Sequence, residues 1–259
     1  TNANSTYSGG TYLNSGRLIL GSYALGAGTP GALTSGLYGT GAITIGNSTS
    51  SLAQLYLAGN SLGIINNAIV VNSAQGNHPT ELGAFRVAGS NPSIAGTIDA
   101  NLADATFNSL NTAQTLSVTG AISGNSGVVI MTQGSGGLEV TLNNAGTANS
   151  YAGNTTISTS NSTLTLGRAN QIANGAGKGN LVITSGTFKM GGFSDTINGL
   201  VGNGTVDGVS GTPTLTIGDN DATSTFSGVI KNTAGTLALT KNGTGTLTIS
   251  GNNTYSGGT

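Results

Sequence analysis

Short units of three to five residues, alternating apolar side chains with Thr or Ser and closed by Gly or Asn, recur along the whole chain. Ala42-Ile43-Thr44-Ile45 runs into Gly46, Leu164-Thr165-Leu166 into Gly167, Leu215-Thr216-Ile217 into Gly218, and Thr246-Leu247-Thr248-Ile249 into Ser250-Gly251. Alternation with period two puts one apolar row on one side of a strand and β-branched Thr on the other. A unit this short cannot bury its apolar row alone, so the chain must stack such units on one another.

Longer self-similarity sets the architecture. The chain closes on Gly243-Thr-Gly245-Thr-Leu247-Thr-Ile249-Ser-Gly251-Asn-Asn253-Thr-Tyr255-Ser-Gly257-Gly-Thr259. Its counterpart is Gly134-Ser-Gly136-Gly-Leu138-Glu-Val140 followed, after a short insertion, by Asn149-Ser-Tyr151-Ala-Gly153-Asn-Thr155. A partial copy, Ser5-Thr-Tyr7-Ser-Gly9-Gly-Thr11, opens the chain. Tyr7 and Tyr151 are 144 residues apart, and Tyr151 and Tyr255 are 104 apart. Gly120-Ala-Ile122 with Gly127-Val-Val-Ile130 also parallels Gly228-Val-Ile230 with Gly235-Thr-Leu-Ala-Leu239. Leu55-Tyr-Leu57-Ala-Gly59 with Ile65-Asn66 parallels Phe188-Lys-Met190-Gly-Gly192 with Ile197-Asn198. This pattern predicts one continuous segment over 1–259 made of two copies, 7–150 and 151–259. The first copy carries an irregular insertion at about 72–111, where His78-Pro79 and Asn91-Pro92 interrupt the strand pattern. Within it, Ala100 to Leu110 has a hint of helical spacing and is expected to be strand or loop.

Even spacing, Gly- and Asn-rich turns and stacked residue types describe an all-β solenoid. Coils of roughly 20–25 residues would number about 11–12 and make a rod about 55 Å long. Asn66-Asn67, Asn143-Asn144 and Asn252-Asn253 are candidates for stacked amide ladders at the turns.

The Gly-x-Gly-x-Leu-x-Ile-x-Gly-x-Asn-x-Tyr-x-Gly-x-Thr run of residues 243–259 resembles the autotransporter-associated β-strand repeat, also called the passenger-associated transport repeat. The resemblance covers most of 120–259 and, more loosely, 5–72, where Ser5 replaces the Asn. It implies a right-handed parallel β-helix in a bacterial surface or secreted protein. Adhesion or surface structure is the implied function.

Gly 45, Thr 39, Asn 29 and Ser 28 make up more than half of the 259 residues, while Lys and Arg number 7 and Asp and Glu 8. A net charge of −1 offers no field for a phosphate backbone, so no nucleic-acid partner is expected. An all-α fold is excluded by the shortage of helix formers, and no apolar run is long enough for a transmembrane helix. With no Cys and a single His, metal sites of thiolates or clustered imidazoles are ruled out by count.

Candidate chemistry is correspondingly sparse. Asp219-Asn220-Asp221 is the densest acidic spot and could supply a carboxylate pair, alone or with Asp207, or half a Ca²⁺ site; a turn favouring Asp and Asn is the expected reading. Gly202-Asn-Gly204-Thr-Val-Asp207 is a single imperfect match to a calcium-binding nonapeptide, and the Gly9-Gly10, Gly136-Gly137 and Gly257-Gly258 pairs lack what a phosphate loop needs. His78 lies in a loop string with no nucleophile elbow. Tyr7, Tyr151 and Tyr255 could form a sugar-stacking row, but are expected to cover the edges of their own coils with hydroxyls at water. Asn47-Ser48-Thr49 and Asn203-Gly204-Thr205 match glycan acceptors by composition alone.

The expected function is therefore a non-enzymatic stalk, fibre or adhesive passenger, with no catalytic, cofactor or metal residues and no cofactor, located outside the cell or on the bacterial outer surface. Expected partners are further copies of the repeat or flanking coils stacked end to end, together with host or matrix glycans or proteins. Because both ends fall inside the Tyr-Ser-Gly-Gly-Thr element, a longer parent chain is expected. The alternatives are a β-helical carbohydrate-active enzyme using Asp219 and Asp221, and a glycan-binding adhesin.

Overall fold

The structure, a computed structural model, describes residues 7–20, 39–59, 64–73, 82–89, 91–110 and 112–259. Ser5 and His78 lie outside these. Among the described residues every strand pair is parallel and there is no helix. The chain visits three faces in fixed order, so each circuit forms one coil of a parallel β-helix.

Face A begins as a five-stranded sheet of Thr11–Leu13, Ile43–Ile45, Ile69–Val71, Ile98–Ala100 and Ile122–Ser123. Face B is a ten-stranded ladder from Gly16–Leu20 to Leu247–Ile249. Face C holds eight strands, from Ile64–Ile65 to Val229–Lys231. On face A the line of coils then passes through Asn149–Tyr151 and Gln171–Ala173 without strands and resumes as Asp195–Ile197, Thr214–Ile217 and Ala238–Lys241.

Alternation does what the sequence demands. In Val128–Thr132, Leu138–Leu142 and Ser162–Leu166, alternate residues are buried while the intervening ones are partly exposed. In-register pairing stacks the buried ones into columns, such as Ile43, Ile69, Ile98 and Ile122 on face A. Face B contributes Leu55, Phe85, Phe107, Ile130, Ile157 and Ile183, with the Phe85 and Phe107 rings stacked 4.8 Å apart. One core cluster runs from Leu20 to Leu239. Each fully buried Leu, Ile or Phe stabilises by about 1.5–3 kcal/mol, so a narrow core works by being long.

Coil length is less regular than the sequence suggests. Register steps on face B are 37 residues from Gly16 to Ala53, 30 from Leu55 to Phe85, 23 from Ala105 to Val128 and 19 from Leu181 to Leu200. The ten-stranded ladder makes the prism about 43 Å long at about 4.8 Å per step, shorter than the expected rod. The strands on either side of the longer steps keep their register. Within 72–111 the described residues carry strands Phe85–Gly89, Ser93–Ile94, Ile98–Ala100 and Ala105–Ser109, which continue all three faces. Ala100 to Leu110, expected to be strand or loop, holds the end of one strand at Ala100, a bend, and the strand Ala105–Ser109.

Glycine marks the corners where coils approach too closely for a Cβ. A methyl on Gly228 would collide with the carbonyl of Gly204, and one on Gly251 with that of Gly228. Gly228→Ala should therefore lower stability by about 1–3 kcal/mol, through forced separation of two coils. Gly258→Ala, which would meet nothing within 4 Å, should be near neutral. Chemical denaturation of the two variants side by side checks the contrast.

Candidate functional site

The repeated Tyr-x-x-x-Thr element, preceded by Asn at Tyr151 and Tyr255, keeps one bond in all three copies. Tyr and Thr lie four residues apart, and the phenol meets the Thr hydroxyl: Tyr7 with Thr11 at 2.7 Å, Tyr151 with Thr155 at 2.5 Å and Tyr255 with Thr259 at 2.7 Å. Two residues before Tyr, the Asn carboxamide oxygen accepts a backbone N–H of the preceding coil. Ile122 donates to Asn149 and Ile230 to Asn253, each at 2.8 Å.

The setting of each copy differs. Tyr151 is fully buried and accepts from the Ala173 N–H of the following coil at 3.4 Å, so the expectation that it covers an edge with its hydroxyl at water is wrong for this copy. The next coil closes over the ring, and burial pushes the phenol up to about 12. Tyr7 is 45% exposed, and Tyr255 is partly buried against the core. With its OH inside, Tyr151→Phe should cost about 1–2 kcal/mol by stranding two buried partners, whereas Tyr255→Phe should cost under about 0.5 kcal/mol. Thermal melts of the two variants check this.

Corner amides elsewhere are capped in the same manner. Asp104 accepts from Gly127 N–H at 2.6 Å, Asp207 from Thr233 at 2.8 Å and Asp221 from Thr244 at 2.6 Å. Asn154 accepts from Asn180 and Asn180 from Gly199. The amide ladders expected at Asn66-Asn67 and Asn143-Asn144 give way to donation into backbone carbonyls. Asn67 donates to the carbonyls of Gly39 and Gly41, and Asn144 to that of Thr147. Side chain bonds to backbone in these pairs, while Asn101 to Asn72 is a direct step between stacked amides, 2.9 Å long.

Asp195 is the most buried of these caps at 2% exposure. Its Oδ2 accepts from Gln171 N–H at 2.7 Å and Ile172 N–H at 3.3 Å, and its Oδ1 from Thr196 N–H at 2.8 Å. Desolvation outweighs these bonds and pushes the carboxyl up from 3.8 to about 7. A carboxyl whose folded value is raised stabilises fully below its unfolded value, and that contribution is lost as pH rises through the folded one. Stability should therefore fall between pH 3.8 and about 7, and Asp195→Asn should flatten that slope. Urea midpoints across the interval measure both.

The carboxylates proposed for chemistry do not converge. Asp219 accepts from the Asn174 amide at 3.3 Å, whereas Asp221, at a φ of 60°, turns to Thr244, whose N–H holds its carboxyl below the usual range. Asp207 sits on face C, bound to Thr233 and to the Lys231 ammonium at 3.4 Å. Among the described residues no three of His, Cys, Asp and Glu come together.

One cluster was not legible in the sequence. On the outer side of face B, the Arg17 and Arg86 guanidiniums lie over the Tyr56 ring at 4.9 and 4.8 Å, with Gln54 beside Arg17. Gln54 and Tyr56 are buried although they point away from the core. Residues leading into Phe85 lie over this face, where the Gly83 carbonyl accepts from Gln54 and the Leu82 carbonyl from Asn108. The irregular coil lengths hide this adjacency; only the register reveals it.

The family model of the passenger-associated transport repeat matches residues 1–20 and 239–259. Both ends of the chain thus resemble the repeat of autotransporter passengers, and the Tyr7 and Tyr255 elements fall within the matched stretches. No curated protein and no solved structure matches the chain.

Proposed function

We propose that this chain is a non-enzymatic β-helical module of a bacterial cell-surface or secreted protein, serving as a stalk or adhesive passenger whose function is its shape. The observation that carries this reading is the use made of its acidic groups. Asp104, Asp195, Asp207 and Asp221 each accept a backbone N–H from an adjacent coil, so carboxylates that a polysaccharide-cleaving enzyme would turn toward substrate are committed to holding coils together. Such a module extends a chain by stacking, and its uncharged Thr, Ser and Asn faces make weak contacts over a long surface.

Purified chain should scatter X-rays as an elongated particle and release no sugar from a broad panel of glycans. On cells carrying the parent protein, an antibody to this segment should label the outside. Glycan cleavage abolished by Asp219→Asn would replace this reading with the enzymatic one.

A further inference from the structure

Four Asn-Gly pairs lie within the described residues, at 174–175, 198–199, 203–204 and 242–243, and the fold treats them differently. Succinimide formation at such a pair needs a mobile Asn side chain and an unengaged Gly N–H to attack it. Asn198 is fully buried, its carboxamide fixed by Gly175 and Lys178, and Gly199 N–H is held by Asn180. The Asn174 amide is bonded to Asp219, and Gly175 N–H to Asn198. Asn203 is exposed, but Gly204 N–H donates to the Ile183 carbonyl at 3.0 Å.

Asn242 differs on each count. Residue and neighbour are exposed, and neither the Asn242 carboxamide nor the Gly243 N–H makes a hydrogen bond to any described residue. The adjacent Lys241 ammonium donates to the Asn242 carbonyl, and to that of Gly243 at 3.0 Å. The Asn242 carbonyl shares its peptide unit with the attacking nitrogen, so a cation on that oxygen stabilises the deprotonated amide.

We propose that Asn242-Gly243 is a site of spontaneous, Lys241-assisted deamidation, and that coil stacking protects the other three pairs. The Gly243 nitrogen loses its proton and attacks Asn242 Cγ; the Cγ–Nδ2 bond breaks, and ammonia leaves. Water then opens one or the other imide carbonyl, giving aspartate or isoaspartate. Either product sets a new carboxylate next in the chain to Gly243, which Asp221 Oδ1 approaches while accepting from Thr244 N–H. The isoaspartyl form also adds a backbone atom to the turn whose Asn242 N–H binds the Ile217 carbonyl of the coil below. The modification thus loosens the corner joining Ala238–Lys241 to Leu247–Ile249.

The test is peptide mass mapping of the folded chain during incubation at mildly alkaline pH. Asn242 should convert about tenfold or more faster than Asn203, whose attacking N–H must first break a backbone hydrogen bond. Asn174 and Asn198 should stay intact until the chain is unfolded in denaturant, where all four react alike. Lys241→Met should slow conversion at Asn242 by about fivefold, the effect of a unit charge about 4 Å away in water. Lys241→Arg should retain the rate, and matching thermal melts show that both variants fold. Equal folded-state rates at Asn203 and Asn242, or no effect of Lys241→Met, overturn the proposal.

Discussion

A backbone N–H at a corner of this prism lies outside the strand ladders, and at several corners, such as those of Ile122, Asn144 and Gln171, it is buried. A buried amide without an acceptor costs about 1–3 kcal/mol, and every coil turns three corners, so the fold stands or fails on supplying those acceptors. It supplies them from the neighbouring coil. Some reach forward, as Asp104 to Gly127 and Asn154 to Asn180; others reach back, as Asn149 to Ile122, Gln171 to Asn144 and Asp195 to Gln171. The side chains that cap corners are Asn, Asp, Gln, Ser and Thr, and where coils come closest there is room only for Gly. The composition follows from this one requirement.

The strand units were readable because their physics is local. Ile43–Ile45, Ser162–Leu166, Thr214–Ile217 and Leu247–Ile249 form where alternation and a following Gly or Ser place them. What depends on coil length was not readable. The Arg17, Tyr56 and Arg86 stack joins residues at unequal sequence separations, 39 and 30, and no periodicity in the sequence predicts that they meet. The tyrosines show the same limit. The shared Tyr-x-Gly-x-Thr spacing gives each the same bond to Thr, but whether a coil lies on the ring is decided by residues 22 positions on, where Ala173 meets Tyr151.

Scarcity of charge takes on a structural meaning. Where acidic groups do occur, several act as backbone acceptors, and two ion pairs among the described residues of face C, Lys189 with Glu139 and Lys231 with Asp207, are partly exposed and contribute modestly. The exception is Asp195, whose burial raises its carboxyl to about 7, so the corner it caps responds to pH near neutrality.

The Asn-x-Tyr element does not stay on one side of the prism. Thr11 opens a strand of face A and Thr155 a strand of face B, while the Gly258 carbonyl accepts from Leu239, back on the face A line. Ile122, which Asn149 caps, is on face A, and its counterpart Ile230 is on face C. A unit that seats at more than one corner frees duplication from the need to add whole turns. Lengthening by a third of a turn rotates everything downstream to a new azimuth, so a lineage of such chains can steer where its excursions point without redesigning a single coil.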